Sequence, residues 1–271
     1  MNGSRIQRKY PWIWILVPIV VLAELICQWR IPGQVPSTSD WNAAVTAVKK
    51  LKGPSDLVVI APAWADPEGR MYFKDLITMA DFGRFDTTKY EQIFEVSIGD
   101  AKSPERGNRD ATRTMTFGRL TVSQIPLPKP ADVKFDFLEN WQYAHYENTP
   151  ERSPTIVIDH WFHPRQVLPF DLKKPSSIAF SEVPLNGTLR GYAVIGYREG
   201  RFNKGSPIRL RILVNGKKIG EKLIANFSPI TPFEYPLDGE GKGTVTFEVL
   251  AENNKKREFG IAVDIRNART K

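Results

Sequence analysis

The pattern of hydrophobic and polar positions divides the chain into three stretches of different character. One long apolar run, IWILVPIVVLAELICQW, occupies residues 13–29. From about residue 39 to residue 128, apolar residues recur at helical spacing in some segments and form short continuous runs in others. From about residue 129 onward, short runs of β-branched and aromatic residues dominate. The pattern therefore predicts an N-terminal helix followed by two domains of different fold.

The apolar run at 13–29 is long enough to indicate a membrane span at the short end of the usual range. Several basic residues precede it, whereas Arg30 alone follows it closely, and the positive-inside rule then places the N-terminus in the cytoplasm. We expect residues 1–30 to form a cytoplasmic tail and a signal-anchor transmembrane helix in a bacterial inner membrane, with the bulk of the chain periplasmic. The alternatives are a cleaved signal peptide ending near Ala23, a lipoprotein signal at Cys27 and a buried helix of a soluble protein.

A Pro/Ser-rich linker at 31–38 leads into the first domain, which we place at 39–128. The segment Ser37–Asp40 fits a capping box at the start of a helix. The continuous apolar run Leu57–Ala61 is typical of a strand buried on both faces. Further patterns predict a helix over Tyr72–Phe82, a strand over Tyr90–Ile98, and a bent strand or tight hairpin over Thr114–Ile125. Alternating helices and buried strands favour a small α/β domain with a partly parallel sheet.

The second domain, at 129–271, shows a different alternation. At least eight short runs follow the period of a strand, as in Thr244–Val249, and turn residues separate them. Asn215–Gly216, between two such runs, is the residue pair favoured in a two-residue hairpin. The pattern predicts a β-sandwich of the jelly-roll type. The fold class expected for the whole chain is therefore α+β multidomain, with a transmembrane helix, a small α/β domain and a C-terminal jelly-roll β-sandwich.

Composition and charge narrow the possible partners. The net charge of +8 is spread along the chain without a basic cluster, which argues against nucleic acid as a partner. The single cysteine, Cys27, excludes an intrachain disulfide. We find no phosphate-binding glycine motif and no nucleophile motif, and we expect no cofactor.

The residues of the first domain carry a resemblance to a known family. The order DW-x-AAV, DLVV, KYEQIFEVS and FGRLTV resembles the soluble C-terminal, extracytoplasmic domain of bacterial GT-C (dolichyl-phosphate-mannose-type) glycosyltransferases. This chain lacks the many membrane helices that hold the catalytic part of that family. The resemblance therefore implies a setting in envelope glycan assembly and does not imply glycosyl transfer.

The second domain carries a resemblance of pattern alone. The order LRGYAVIGY, IRLRILVNGKKIG, TVTFEVLA and FGIAVDIR resembles galactose-binding-like jelly rolls and carbohydrate-binding modules. No signature residue accompanies the pattern. Because many such sandwiches bind protein or brace a neighbouring domain, the resemblance leaves the ligand open.

Two groups of residues are candidate binding sites. The loop APAWADPEGR follows the strand at Leu57–Ala61, where ligands often bind in open α/β sheets. We predict an anion or sugar-phosphate site there; the alternative is that the loop is structural. The second group could stack against pyranose rings and donate hydrogen bonds, or its aromatic members could pack the sandwich or the domain interface. The anion-site residues are Trp64, Asp66, Arg70, Arg84 and Lys102; the sugar-site residues are Trp141, Tyr143, His160, Trp161, His163 and Arg165.

Catalysis and metal binding have weaker signals. His160 and His163, with Asp159, have a spacing that a metal site could use, but we assign no metal and no catalytic residue. Paired carboxylates for glycoside hydrolysis are conceivable among Asp66, Glu68, Asp81, Asp159 and Glu182.

These observations favour a non-catalytic binding or accessory protein of bacterial cell-envelope glycan assembly. The expected partners are the membrane, a glycan or lipid-linked sugar, and a polytopic glycosyltransferase. The alternatives are an enzyme acting on envelope sugars and a structural protein–protein interaction module.

Overall fold

The computed structural model describes residues 13–30, 35–149, 153–197, 205–225, 228, 230–252 and 257–267. The predicted cytoplasmic tail and the first part of the predicted linker lie outside these residues. The structure is 47% strand and 21% helix, so it is mainly a β protein. Contacts divide it into two compact units. Unit 1 holds the described parts of Met1–Gly53, Val59–Phe73 and Phe94–Ile125, and unit 2 holds those of Pro54–Val58, Lys74–Ile93 and Pro126–Lys271. The domain ranges expected from sequence stay predictions.

The N-terminal helix, α1, runs over Ile13–Arg30. Within the described part of the chain, none of the helices combines the length and the apolarity that crossing a membrane requires. A span needs about 20 consecutive, predominantly apolar residues, whereas Pro18 and Glu24 lie inside this run. The finding contradicts the predicted transmembrane helix, and with it the predicted fold class and the predicted inner-membrane localisation.

The second helix, α2, runs over Thr38–Leu51 and confirms the predicted capping box. The Ser37 side chain accepts a hydrogen bond from the Asp40 N–H at 3.2 Å, and the Asp40 carboxylate accepts one from the Ser37 N–H at 2.9 Å. Trp41, fully buried on this helix, stacks on Tyr72 with ring centroids 5.4 Å apart. The apolar face of α2 therefore packs as its sequence spacing predicts.

The helix predicted over Tyr72–Phe82 is broken in the structure. Instead, α3 runs over Asp66–Phe73 and α4 over Met79–Phe82, with a short 3₁₀ turn over Lys74–Leu76. Lys74 takes a left-handed conformation (φ 44°), which no α-helix can continue through. Thr78 then starts α4 with a capping box of its own.

Four strands form the first sheet: β1 Asp56–Ala61, β2 Gln92–Ile98, β3 Arg113–Phe117 and β4 Leu120–Pro126. Their order is β1-β2-β4-β3. β3 and β4 pair antiparallel, with Phe117 opposite Leu120, so the bent-strand-or-hairpin segment is a hairpin. Gly118 in its turn has φ of +56°, which is accessible to glycine at little cost.

Among the described residues of unit 2, nine strands form one sheet. Their main order is β11-β10-β12-β9-β13-β8-β7, with β5 on β13 and β6 on β9. Unit 2 is thus a β-sandwich built on long antiparallel strands. The strands are β5 Val133–Asp136, β6 Ala144–Glu147, β7 Thr155–Ile158, β8 Pro164–Pro169, β9 Ser176–Ile195, β10 Ile208–Val214, β11 Lys217–Ile224, β12 Thr231–Leu250 and β13 Phe259–Arg266.

The core of the sandwich lies between the inner faces of β9, β12, β10 and β13. Phe137, Phe180 and Phe247 are buried there and meet edge to face, with centroids 4.9 Å apart for Phe137–Phe180 and 5.1 Å for Phe137–Phe247. The Asn215–Gly216 turn joins β10 to β11, with φ of 49° and 77°, and pairs Val214 with Lys217. Positive φ at both positions is the backbone of a type I′ turn, which confirms the predicted hairpin.

A charged network holds the segment 84–90 against the outer face of β9 and β13 within unit 2. Tyr192 donates a hydrogen bond to Asp86 Oδ2 at 2.6 Å, and Arg190 Nη2 lies 3.2 Å from the same oxygen. Arg266 binds Asp264 through two hydrogen bonds, at 2.7 and 2.8 Å, and donates to Thr88 Oγ1 at 2.7 Å.

Lys89 closes this network by pairing with Asp136 and, at 3.4 Å, with Asp264. Burial alone would lower the pKa of Lys89, but the two carboxylates outweigh burial and raise it. Burial and the hydrogen bond to Asp86 raise the pKa of Tyr192 to about 12. Burial also opposes the charge on Asp86, but hydrogen bonds from Thr88 and Tyr192 hold the pKa of Asp86 below its usual range.

Replacing Asp86 tests how much this network contributes. We expect Asp86→Asn to lower the free energy of unfolding by about 1–3 kcal/mol at pH 7, because Arg190 and Arg266 lose a charged partner. The folded pKa lies below the unfolded value of about 3.9, so the contribution is present above pH 4 and is lost as pH falls through the folded pKa. Urea unfolding at pH 7, 5 and 3 measures this.

Asp238→Asn, at an exposed position of β12, is the matched control and should change stability little. A difference between Asp86→Asn and the unsubstituted chain that stays constant down to pH 3 would contradict the assigned role of the Asp86 charge.

Candidate functional site

The turn between β7 and β8, with the sequence DHWFH at 159–163, carries large aromatic side chains that face solvent. Trp161 is 65% exposed and Phe162 is 64% exposed. The His163 side chain is 55% exposed. Burial in the sandwich core therefore does not explain these residues, and the alternative that they pack the core is wrong for this turn.

A buried carboxylate fixes the conformation of this turn. Asp159 has no exposed surface, and its Oδ1 accepts hydrogen bonds from the N–H groups of Trp161 at 2.8 Å and His163 at 2.9 Å. Its Oδ2 accepts a third from Arg165 Nε at 2.9 Å. The backbone closes the turn as well, since Asp159 N–H donates to His163 O at 2.8 Å. Both carboxylate oxygens are thus occupied.

Arg165, the partner of Asp159, connects the turn to the start of segment 84–90, which the charged network holds. Its Nη1 donates to the carbonyl oxygen of Arg84, and its guanidinium lies over the Phe85 ring, 5.4 Å from the centroid. Only 15% of the Arg165 side chain is exposed. Arg165 therefore positions the turn and is little accessible to a ligand.

Four rings form one continuous group, which we call the aromatic platform: His160, Trp161, Phe162 and Tyr197. His160 lies 5.6 Å from Trp161 and 5.9 Å from Tyr197, between ring centroids. Phe162 and Tyr197 are 4.1 Å apart. The sequence pattern does not indicate Tyr197, because this residue follows β9, far along the chain from the turn, and no local pattern connects the two.

Phe162 occupies a strained backbone conformation. Its φ is +62°, in the left-handed region that bulky residues avoid. Such conformations cost about 1–3 kcal/mol and persist where the surroundings or the function require them. Because Phe162 is mostly exposed, core packing offers no compensation for this cost.

The predicted sugar-site residues separate into two groups. His160, Trp161, His163 and Arg165 lie together at the turn. Trp141 instead packs against the sandwich core, and Tyr143, in the short 3₁₀ helix before β6, is 73% exposed.

Strand pairing explains this separation. β6 pairs with Ser177–Phe180 at the start of β9, whereas β13 pairs β8 next to Ala193 and Val194 at its end. The two groups thus belong to opposite ends of a long strand.

The predicted anion-site residues show mainly structural contacts. In unit 1, Arg70 Nε lies 2.8 Å from Asp66 Oδ2, one helical turn away on α3, while Trp64 is 71% exposed. In unit 2, Arg84 Nη1 donates to the carbonyl oxygen of Asp81 at 2.5 Å. Anion binding by these residues stays a prediction.

Lys102, the remaining member, is exposed in the loop after β2. A buried carboxylate holds the neighbouring part of this loop: Glu95 accepts hydrogen bonds from Ser103 N–H at 2.7 Å and Arg106 Nη1 at 2.9 Å. Contacts within the protein therefore hold this part of the loop, and its conformation does not require a ligand at Lys102.

Four of the five carboxylates considered for hydrolysis have separate structural partners. Asp81 caps α4 and accepts a hydrogen bond from Tyr90 at 2.9 Å, and Glu182 lies 3.6 Å from Lys242. Asp66 pairs with Arg70, and Asp159 holds the turn. Among the described residues, no group of three or more His, Cys, Asp or Glu side chains is arranged to hold a metal ion.

Replacing Asp159 tests its role in holding the turn. We expect Asp159→Asn to lower the free energy of unfolding by about 3 kcal/mol, because Arg165 keeps its buried charge and loses its partner. The amides of Trp161 and His163 should also exchange with deuterium faster. The double variant Asp159→Asn/Arg165→Gln should recover part of the loss, as a double-mutant cycle measures. Additive losses would contradict the coupling.

Comparisons with known proteins show a similarity of fold to solved structures and no match in sequence. A scan against protein families finds no match, and a search of curated proteins finds none at a significant level. The chain is similar to the Clostridium perfringens ZmpB structure that holds an M60 catalytic domain with CBM51-1 and CBM51-2 domains, at 11% identity and a TM-score of 0.37 over 59% of this chain and 20% of that one.

A second similar structure is the CBM51 from Clostridium perfringens GH95, in complex with methyl-galactose, at 13% identity and a TM-score of 0.34 over 48% of this chain and 98% of that one. A third is a CBM36 in complex with calcium and xylotriose, at 8% identity and a TM-score of 0.27 over 46% and 88%. None of these comparisons supports the resemblance of the first domain to GT-C glycosyltransferases. The similar structures are carbohydrate-binding modules, but scores this low assign the chain neither a family nor a ligand.

Proposed function

We propose that this chain binds carbohydrate without catalysis, and that the aromatic platform is the binding surface. The observation that carries the proposal is the exposure of Trp161 and Phe162 on a turn that a buried aspartate holds in place. A rigid site loses little conformational entropy when a ligand binds, so the exposed rings are preorganised for contact.

The chemistry of the platform suits a sugar ring. Flat aromatic faces provide large apolar contact areas for the C–H faces of pyranoses, and polar groups beside them fix orientation. The polar groups at this position are the Trp161 indole N–H, the imidazoles of His160 and His163 and the Tyr197 hydroxyl. The envelope setting and the glycosyltransferase partner expected from sequence remain predictions that rest on the resemblance of residues 39–128.

Removing one ring of the platform tests the proposal directly. We expect the full chain to bind at least one class of oligosaccharide on a glycan array, and Trp161→Ala to weaken that binding by about tenfold or more, as the loss of a central aromatic contact typically does. Isothermal titration calorimetry with the best array ligand measures the change.

Tyr143→Ala is the matched control, because Tyr143 is equally exposed at the other end of β9. Equal weakening by the two variants would point away from the platform, and the absence of binding to every glycan would refute the proposed function.

The strained residue Phe162 gives a test in which stability and binding change in opposite directions. Phe162→Gly removes the left-handed strain of about 1–2 kcal/mol, partly offset by the flexibility that glycine adds to the unfolded chain. We therefore expect the free energy of unfolding to stay equal or rise by up to about 1 kcal/mol, while glycan affinity falls. Urea unfolding measures the change in stability, and calorimetric titration measures the change in glycan affinity. A loss of stability above about 1 kcal/mol would show that the ring is a packing residue.

A further inference from the structure

The polar groups that the platform turn offers to a ligand differ from those of an ordinary neutral-sugar site. Within 153–170, all of which is described, the sequence holds a single acidic residue, Asp159, and this residue is fully buried. The other residues of the turn are two histidines, a tryptophan and a phenylalanine. The turn therefore exposes neither a carboxylate nor an amide side chain.

The buried aspartate is not available to a sugar hydroxyl. Its Oδ1 already accepts two backbone N–H groups and its Oδ2 accepts Arg165 Nε. The positive charge of Arg165, whose Nε lies 2.9 Å from Asp159 Oδ2, also compensates the negative charge of the carboxylate. A ligand on the platform thus meets no acceptor from this carboxylate.

The contacts of His163 allow its outer nitrogen to donate. Its Nδ1 lies 3.5 Å from Arg165 Nη2, and Asp159 Oδ2 lies farther away, at 3.8 Å. Arginine only donates, so a neutral imidazole that accepts this contact through Nδ1 carries its proton on Nε2, whereas one that turns an Nδ1–H toward Asp159 has Nε2 as an acceptor. In the first form Nε2 donates to a ligand, as the indole N–H of Trp161 does.

From this arrangement, and resting on the proposed function, we infer that the ligand is an acidic glycan, one whose sugars carry carboxylate or sulfate groups. A neutral sugar hydroxyl accepts a hydrogen bond without a charge, whereas a carboxylate or sulfate accepts with a negative charge, and hydrogen bonds to charged groups are the stronger ones. The indole of Trp161, the two imidazoles and the Tyr197 hydroxyl can all donate to such a group, and the turn exposes no carboxylate that would repel it. The net charge of +8 adds a long-range attraction for such a ligand.

The test compares matched ligands on the full chain. Oligosaccharides of glucuronate or galacturonate are titrated beside their carboxyl-reduced forms, and sulfated oligosaccharides beside their desulfated forms. We expect the acidic member of at least one pair to bind about tenfold tighter or more, and its advantage to shrink as NaCl rises from about 0.05 to 0.5 M, because salt screens charge attraction.

Two variants assign the effect to residues. His163→Ala should reduce the advantage of the acidic ligand over its neutral counterpart, whereas Trp161→Ala should weaken both members of a pair. His145→Ala, an exposed histidine on β6, is the matched control and should change neither. Thermal melts of each variant show whether the fold is kept.

The outcomes separate the two proposals. Neutral and acidic members binding equally well would overturn the acidic-ligand inference and leave the proposed function standing. Absence of binding to every member would overturn both. An acidic preference that His163→Ala leaves unchanged would overturn the role assigned to His163 as the donor.

Discussion

The carboxylate of Asp159 is the interaction on which the candidate site depends. Buried at the base of the β7–β8 turn, it accepts two backbone N–H groups and one guanidinium N–H. A carboxylate in an apolar environment is stable only when such partners surround it. The same contacts that satisfy this charge set the direction of Trp161 and Phe162. The exposure of the aromatic platform is therefore linked to the satisfaction of one buried charge.

Apolar packing and polar contacts have different roles within unit 2. The apolar core around Phe137, Phe180 and Phe247 stabilises the sandwich without specifying what lies on its outer face. The outer face is specified by polar contacts, in which Asp86 and Lys89 of the preceding segment meet charged residues of β9 and β13. Hydrogen bonds and ion pairs are directional, so they fix the position of segment 84–90 on the sheet more specifically than apolar packing alone would.

The platform also shows a conflict between stability and binding. An exposed aromatic in a left-handed conformation lowers the stability of the turn and gains little from burial. Such a residue is consistent with selection for contact with a ligand. Its ring contact with Tyr197, at 4.1 Å, limits the motion that the strained turn would otherwise allow.

The sequence by itself determined the elements whose signals are local. The capping box at Ser37–Asp40, the Asn215–Gly216 hairpin and the strand runs of the sandwich each depend on neighbours within a few residues, so pattern and structure agree. The break at Lys74 and the absence of a membrane-spanning helix among the described residues were not predicted. The platform was only half predicted, because Tyr197 joins His160 and Phe162 through the fold of β9. Only the tertiary structure decided that Asp159 is buried and Trp161 exposed, since burial depends on contacts between residues distant in the chain, which local periodicity does not encode.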